Sequence, residues 1–161
     1  MIGMPRVALR VALTGLLALA LIGCGRRAED RTPDGRIVVR YWEKWTGFED
    51  DAMQAVVDDF NASQNRILVK KLTVSEIERK LMLATAGGDP PDVAGIWTSR
   101  IPGFSEKGAL TPLNKLLANA GIKREDYIPV FWDMCSHHDF VWALPSTPTS
   151  VALHWNKKLF R

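Results

Sequence analysis

Five residues within one short stretch, Glu43, Trp45, Thr46, Gly47 and Glu49, have side chains suited to holding a small polar molecule. An indole offers a flat apolar face, and a threonine hydroxyl both donates and accepts. The two carboxylates accept, and a glycine lets the backbone come close to a guest. Trp97, Thr98 and Ser99 repeat the aromatic-plus-hydroxyl pattern, with Arg100 beside them. Ser146, Thr147 and Thr149 bring further hydroxyls on a proline-containing turn. This is the chemistry of non-covalent capture. Each group also has a plainer structural use: Thr46 and Glu49 as a helix cap, Trp97 as a core residue closing a strand, and the serine and threonines as turn formers.

Bond-making chemistry has much less support. The sequence contains no Gly-x-Ser-x-Gly, His-Glu-x-x-His, Walker or Gly-x-Gly-x-x-Gly motif, so no catalytic residue is assigned. A glycoside hydrolase needs two carboxylates facing each other across a cleft. Glu43, Glu49 and Asp92 are the local candidates, and no spacing pairs them. Asp133, Cys135, His137, His138 and Asp139 hold metal-ligand side-chain types. In an extended chain the neighbouring histidines point to opposite faces, so neither a metal nor another cofactor is expected.

The elements that must position these residues follow from periodicity. Ile37–Tyr41 is a β-branched and aromatic run suited to a buried strand. Thr46 and Glu49 have capping-box spacing, and Met53, Val56, Val57 and Phe60 then recur at helical intervals. A polar break at residues 61–65 precedes a second strand, Ile67–Leu72. Ser75 and Glu78 repeat the capping box ahead of a helix with Ile77, Leu81 and Ala84 on one face. Gly87-Gly88 and Pro90-Pro91 end that helix, and Val93–Trp97 is a third strand. Strand, helix, strand, helix, strand predicts an α/β fold with a mostly parallel sheet and helices on both faces. Loops after its strands lie at the sheet's carboxyl edge, where ligands bind. Further on, helices are expected over 101–107, 113–120 and 127–134, and strands over 140–144 and 151–155. Lys157–Phe160 reads as the first turn of a helix cut short, which points to a fragment of a longer chain.

The chain has 161 residues, 47% of them hydrophobic, enough for one domain with a core. Residues 1–23 read as an export signal: Arg6 and Arg10 precede an uncharged run, Val11–Ile22, that is short for a membrane span. Leu21-Ile22-Gly23-Cys24 resembles the lipobox of bacterial lipoproteins, in which the cysteine is lipidated and becomes the new N-terminus. Loss of the leader leaves 19 basic and 18 acidic residues, a net +1, so the formal +3 argues little for nucleic-acid binding. Residues 24–35 are polar and aperiodic and read as a flexible tether. With Cys24 lipidated, Cys135 has no disulfide partner.

Four segments together, VVRYWEKWTGFEDDAMQAVVDDFNAS, ATAGGDPPDVAGIW, KGALTPLNKLL and ALPSTPTSVALHWNKKLF, resemble in order and spacing the bacterial extracellular solute-binding proteins of family 1, the sugar-type binding lipoproteins of ABC importers. The resemblance implies two α/β lobes of the type II periplasmic-binding-protein kind, joined by a hinge, with residues 36–161 forming the first part of the N-terminal lobe. It implies a monomeric, lipid-anchored receptor outside the cytoplasm, which captures a carbohydrate and delivers it to ABC permease subunits. It also implies that the loop at Trp97 and the turn at 146–149 reach the cleft. A lipid-anchored glycoside hydrolase and a receptor for a non-sugar solute such as a polyamine are the alternatives.

Overall fold

The computed structural model describes residues 30–147, 149 and 152–160. The expected export signal and Cys24 lie outside the described residues. Ile37–Glu43 forms β1, the middle strand of a three-stranded parallel sheet ordered β2-β1-β3. β2 is Ile67–Thr73, in register from Ile37 opposite Ile67 to Glu43 opposite Thr73. β3 is the two-residue strand Val93–Ala94, opposite Tyr41 and Trp42. The α/β class and the parallel sheet are as expected. β3 stops at Ala94, short of the Trp97 expected from the apolar run, and residues 95–97 leave the sheet.

Helix α1, Phe48–Ser63, crosses from β1 to β2. It buries Val57 and half-buries Met53, while Val56 and Phe60 stay exposed, so its inward stripe is narrower than its apolar spacing predicts. Asn61 docks it on the sheet edge: its amide donates to the Val69 carbonyl at 2.9 Å and accepts from the Val69 N–H at 2.8 Å. These backbone groups belong to an edge strand and would otherwise be unpaired. Lys71, nearly buried, reaches the Asp50 carboxylate on the same helix. That bond, then one from Thr73, holds the Asp50 carboxyl below its usual range. Helix α2, Ile77–Ala86, buries Ile77 and Leu81 as its periodicity requires.

Neither capping box forms. The N-cap of α1 is Gly47 at φ 61°, and that of α2 is Glu76 at φ 52°, without a side-chain cap. Each chain enters its helix through a left-handed residue one position later than the boxes assume. Thr46 and Ser75 therefore sit before the cap, out of register with the third helical N–H. Ser75 instead accepts from the Lys80 ammonium at 3.2 Å.

The second half of the chain packs short elements beside the sheet. A 3-10 turn, Thr98–Arg100, runs into α3, Ile101–Glu106, which buries Ile101 and Phe104. Helix α4 is Asn114–Ala120 and α5 is Pro129–Met134, both within the expected spans. Ser136–His137 (β4) and Phe140–Val141 (β5) pair antiparallel across a two-residue turn. The single long strand expected over 140–144 is thus a hairpin arm that ends at Val141. Leu117, Trp132 and Val141 form a core cluster with Leu113, Ile122, Tyr127 and Leu144 against it. The strand expected over 151–155 does not form among its described residues, 152–155, which are irregular and exposed. The described part of the tether folds back: Val38 N–H bonds the Asp30 carbonyl at 2.7 Å, and a turn at 32–36 closes on itself.

Replacing Asn61 with Ala leaves the outward N–H and C=O of Val69 unpaired. The expected loss is about 1–3 kcal/mol of unfolding free energy, read by urea denaturation of the protein.

Candidate functional site

The carboxyl edge of the sheet is built around a buried acid. Glu43 ends β1 and is 1% exposed. The Tyr41 hydroxyl donates to one of its oxygens, and the Lys44 backbone N–H donates to the other at 2.7 Å. The Lys44 ammonium lies 3.5 Å from that second oxygen. The carboxylate fits because Gly95 lies against it: a Cβ at residue 95 would fall on the carboxyl group. A glycine inside a strand-like run commonly marks such a close approach. Gly95 N–H also bonds the Trp42 carbonyl at 2.8 Å, which fixes the chain as it leaves β3. Burial, with Glu43 beside it, pushes the Tyr41 phenol well above its usual value, so it remains a proton donor.

Lys44 links this acid to two indoles. Its ammonium stands 4.2 Å from the Trp45 ring centroid and 4.8 Å from that of Trp97. The two rings meet edge to face, 5.5 Å apart and at 79°. They arrive from different strands, Trp45 from the loop after β1 and Trp97 from the segment after β3. Trp97 remains 46% exposed and keeps ring surface open. The Trp45 indole N–H is buried and has no acceptor.

Two hollows flank the indole pair and share Lys44 and Trp97 in their walls. One, about 150 Å³, is bordered by Gly95, Thr98, Ser146, Thr147 and Thr149, with Ile101 and Cys135 also in its wall. The other, about 400 Å³, is bordered by Trp45, Thr46, Glu49 and the Ser75–Glu78 turn. The turns near Thr46, Thr98 and Thr147 thus gather on one rim.

The sequence-predicted residues divide accordingly. Trp45, Thr46, Glu49, Trp97, Thr98, Thr147 and Thr149 border the hollows. Gly47 and Ser99 border neither: Gly47 opens α1, and Ser99 is exposed in the 3-10 turn. Glu43, expected as an acceptor for a guest, lies beneath the rim and is spent on Tyr41 and Lys44. Asp92 is likewise engaged, accepting from the Arg40 backbone N–H at 2.7 Å. Lys44, Gly95 and the turn at 75–78 escaped the sequence reading. Gly95 left a signal, a glycine within an apolar strand run; Lys44 left none.

An α/β layer that gathers aromatic and hydroxyl groups at the carboxyl edge of parallel strands is the architecture of a small-molecule-binding lobe. Residues 47–161 match the family model of the bacterial extracellular solute-binding proteins, and the chain belongs to that family. The sequence has no match among curated proteins. Among solved structures, it is similar to the sugar-binding protein MalE from the phytopathogen Xanthomonas citri, at 25% identity and a TM-score of 0.61, over 67% of this chain and 28% of that one. It is also similar in fold to CpMnBP1 with mannotriose bound, at 23% identity and TM-score 0.64, over 68% and 28% of the two chains. The galacto-N-biose-/lacto-N-biose I-binding protein of an ABC transporter from Bifidobacterium longum shares the fold at 17% identity and TM-score 0.60, again over 68% and 28%. The chain therefore spans less than a third of the length of these structures.

Substitution of Gly95 by Ala is expected to displace Glu43 and cost about 1–3 kcal/mol in urea unfolding, the price of forcing a methyl into filled space. Tyr41 gives a pH test. Its phenol titrates above the usual value near 10 in the folded state. Its contribution to stability is therefore complete below pH 10 and is lost as pH rises through the folded value. Unfolding free energy should decline with alkaline pH more steeply in the wild type than in Tyr41→Phe.

Proposed function

We propose that the protein carrying this chain is the substrate-binding component of an ABC importer. It captures a carbohydrate outside the cytoplasm and hands it to permease subunits. Membership of the solute-binding family supports capture over catalysis. The observation that carries the sugar assignment is the rim itself. The open Trp97 ring offers a surface on which the apolar face of a pyranose can stack. Thr46, Thr98, Thr147 and Thr149 stand around it as donors and acceptors. Sugar-binding proteins among the similar structures favour the same reading.

Capture by such a receptor is closure of two lobes on a guest that contacts both, and the closed form is what the permease recognises. This chain supplies the rim of one lobe. Cys24 is the lipid attachment point, the protein acts as a monomer, and its place is the outer side of the cell membrane.

A cationic solute is the second reading, favoured by Glu49, Glu76 and Glu78 around the larger hollow. Against it, Glu76 is paired with Arg79, and the indole faces already hold the Lys44 ammonium.

Isothermal titration of the full-length protein with a panel of di- and oligosaccharides, and with a linear polyamine, separates the two. Binding of a carbohydrate is expected. Trp97→Ala and Trp45→Ala should each weaken it on the order of tenfold, about 1.4 kcal/mol. Heat from the polyamine alone, or carbohydrate binding indifferent to both tryptophans, overturns the assignment.

A further inference from the structure

The hairpin from β4 to β5 brings together three side chains that the rim does not use. His138 and Asp139, its two turn residues, both have left-handed backbone, at φ 47° and 64°. That geometry suits the twist of a two-residue hairpin but is normally met by asparagine and glycine. It overturns the expectation that adjacent histidines diverge: the His137 and His138 rings lie side by side, centroids 3.9 Å apart. From α3, Glu106 reaches the same point, its Oε1 3.2 Å from His137 Nε2. One ligand atom from each of Glu106, His137 and His138 falls within 4.8 Å of the other two.

We propose that Glu106, His137 and His138 form a binding site for one divalent first-row transition ion, of the kind that takes imidazole and carboxylate ligands, with Zn²⁺ as the probe. Metal–ligand bonds near 2.0–2.2 Å set tetrahedral ligand atoms about 3.3 Å apart, close to the His137–Glu106 separation. His138 is exposed and closes the remaining distance by side-chain rotation. Two imidazoles and one carboxylate leave a fourth position for water. Imidazole donors select Zn²⁺, Ni²⁺ or Cu²⁺ over Mg²⁺ and Ca²⁺, which prefer all-oxygen shells.

The backbone bearing these ligands is held in place before any ion arrives. The Asn114 amide donates to the Asp139 carbonyl at 3.3 Å and accepts from the Val141 N–H at 3.0 Å, clamping the turn. The Trp142 indole N–H bonds the His137 carbonyl at 2.9 Å. Such support fixes ligand direction in metal sites. A bound ion would tie the C-terminal end of α3 to the hairpin. Ile101 on α3 and Cys135 just before the hairpin both border the smaller hollow, so the ion would brace that wall. The site stands independently of the carbohydrate reading.

Titration of the chelator-stripped full-length protein with Zn²⁺ by calorimetry tests it. One ion per chain is expected, and Co²⁺ in its place should give the intense visible bands of four-coordinate cobalt, abolished by added Zn²⁺. His138→Ala and Glu106→Gln change exposed side chains and should preserve the circular dichroism spectrum. Each should weaken binding on the order of tenfold or more, as should His137→Ala, whereas His154→Ala should leave it unchanged. Failure of the wild type to bind Zn²⁺, or affinity unaffected by His138→Ala and Glu106→Gln, overturns the proposal.

Discussion

A carboxylate placed out of water at the end of the central strand governs the arrangement of this edge. Glu43 is nearly inaccessible, and an unpaired buried charge costs several kcal/mol. Three neighbours offset that cost: the Tyr41 hydroxyl, the Lys44 N–H and the Lys44 ammonium. Each compensating contact has a structural consequence. Tyr41 is two residues back on the same face of β1, so the strand must run straight to Glu43. The missing side chain at Gly95 leaves the space that the carboxylate fills, so β3 must pass close and then turn away. The ammonium that turns down to Glu43 also lies against both indoles, so Trp45 and Trp97 are drawn together.

Position in the sheet follows from the order of elements. A parallel crossover returns each strand to the same edge, so the loops after β1 and β3 emerge side by side although about fifty residues separate them in sequence. Sheet topology, and no local motif, makes Trp45 and Trp97 neighbours. Other surfaces are less well covered. Leu72 on β2, Val93 on β3 and Leu83 on α2 are at least half exposed. The sheet and its helices thus carry apolar surface beyond what this chain's own packing hides.

The sequence was legible where a pattern repeats. The strands expected at Ile37–Tyr41 and Ile67–Leu72 form and run on to Glu43 and Thr73, because β-branched and aromatic side chains fit a half-buried pleated surface. The helices at 48–63 and 77–86 were legible from their helical apolar spacing, although the first runs on to Ser63, into the polar stretch expected to end it. Their first turns were not, because Thr46-x-x-Glu49 and Ser75-x-x-Glu78 fit a capping template that the left-handed Gly47 and Glu76 shift by one residue. The strand expected at Val93–Trp97 ends after two residues: Gly95 still bonds the Trp42 carbonyl but lies against the Glu43 carboxyl, and beyond it the chain leaves the sheet. At the rim, Trp45, Thr46, Trp97, Thr98, Thr147 and Thr149 were recognisable from type and location. Whether a side chain faces a hollow or the layer beneath it is decided by long-range contacts. Glu43, expected as an acceptor for a guest, therefore lies beneath the rim, and Lys44 left no signal in the sequence.

The position of Lys44 also bears on what the rim can hold. A cation attracted to an indole takes the ring face, because that is where the quadrupole is negative. Here the protein's own ammonium stands within 5 Å of both ring centroids. A cationic guest would have to displace it or approach against its charge, and displacement would take from Glu43 its cationic neighbour, leaving the Tyr41 hydroxyl and the Lys44 N–H. A neutral guest meets neither penalty. It can stack its C–H face on the exposed part of Trp97 and leave the ammonium in place, with Thr98 and Thr147 beside it for its hydroxyls. The same ion pair that stabilises the strand end therefore works against a cationic guest at the indole faces, in keeping with the proposed carbohydrate reading. Of the three glutamates around the larger hollow, the exposed Glu76 is already paired with Arg79, which leaves the half-buried Glu49 and Glu78 to pull the other way.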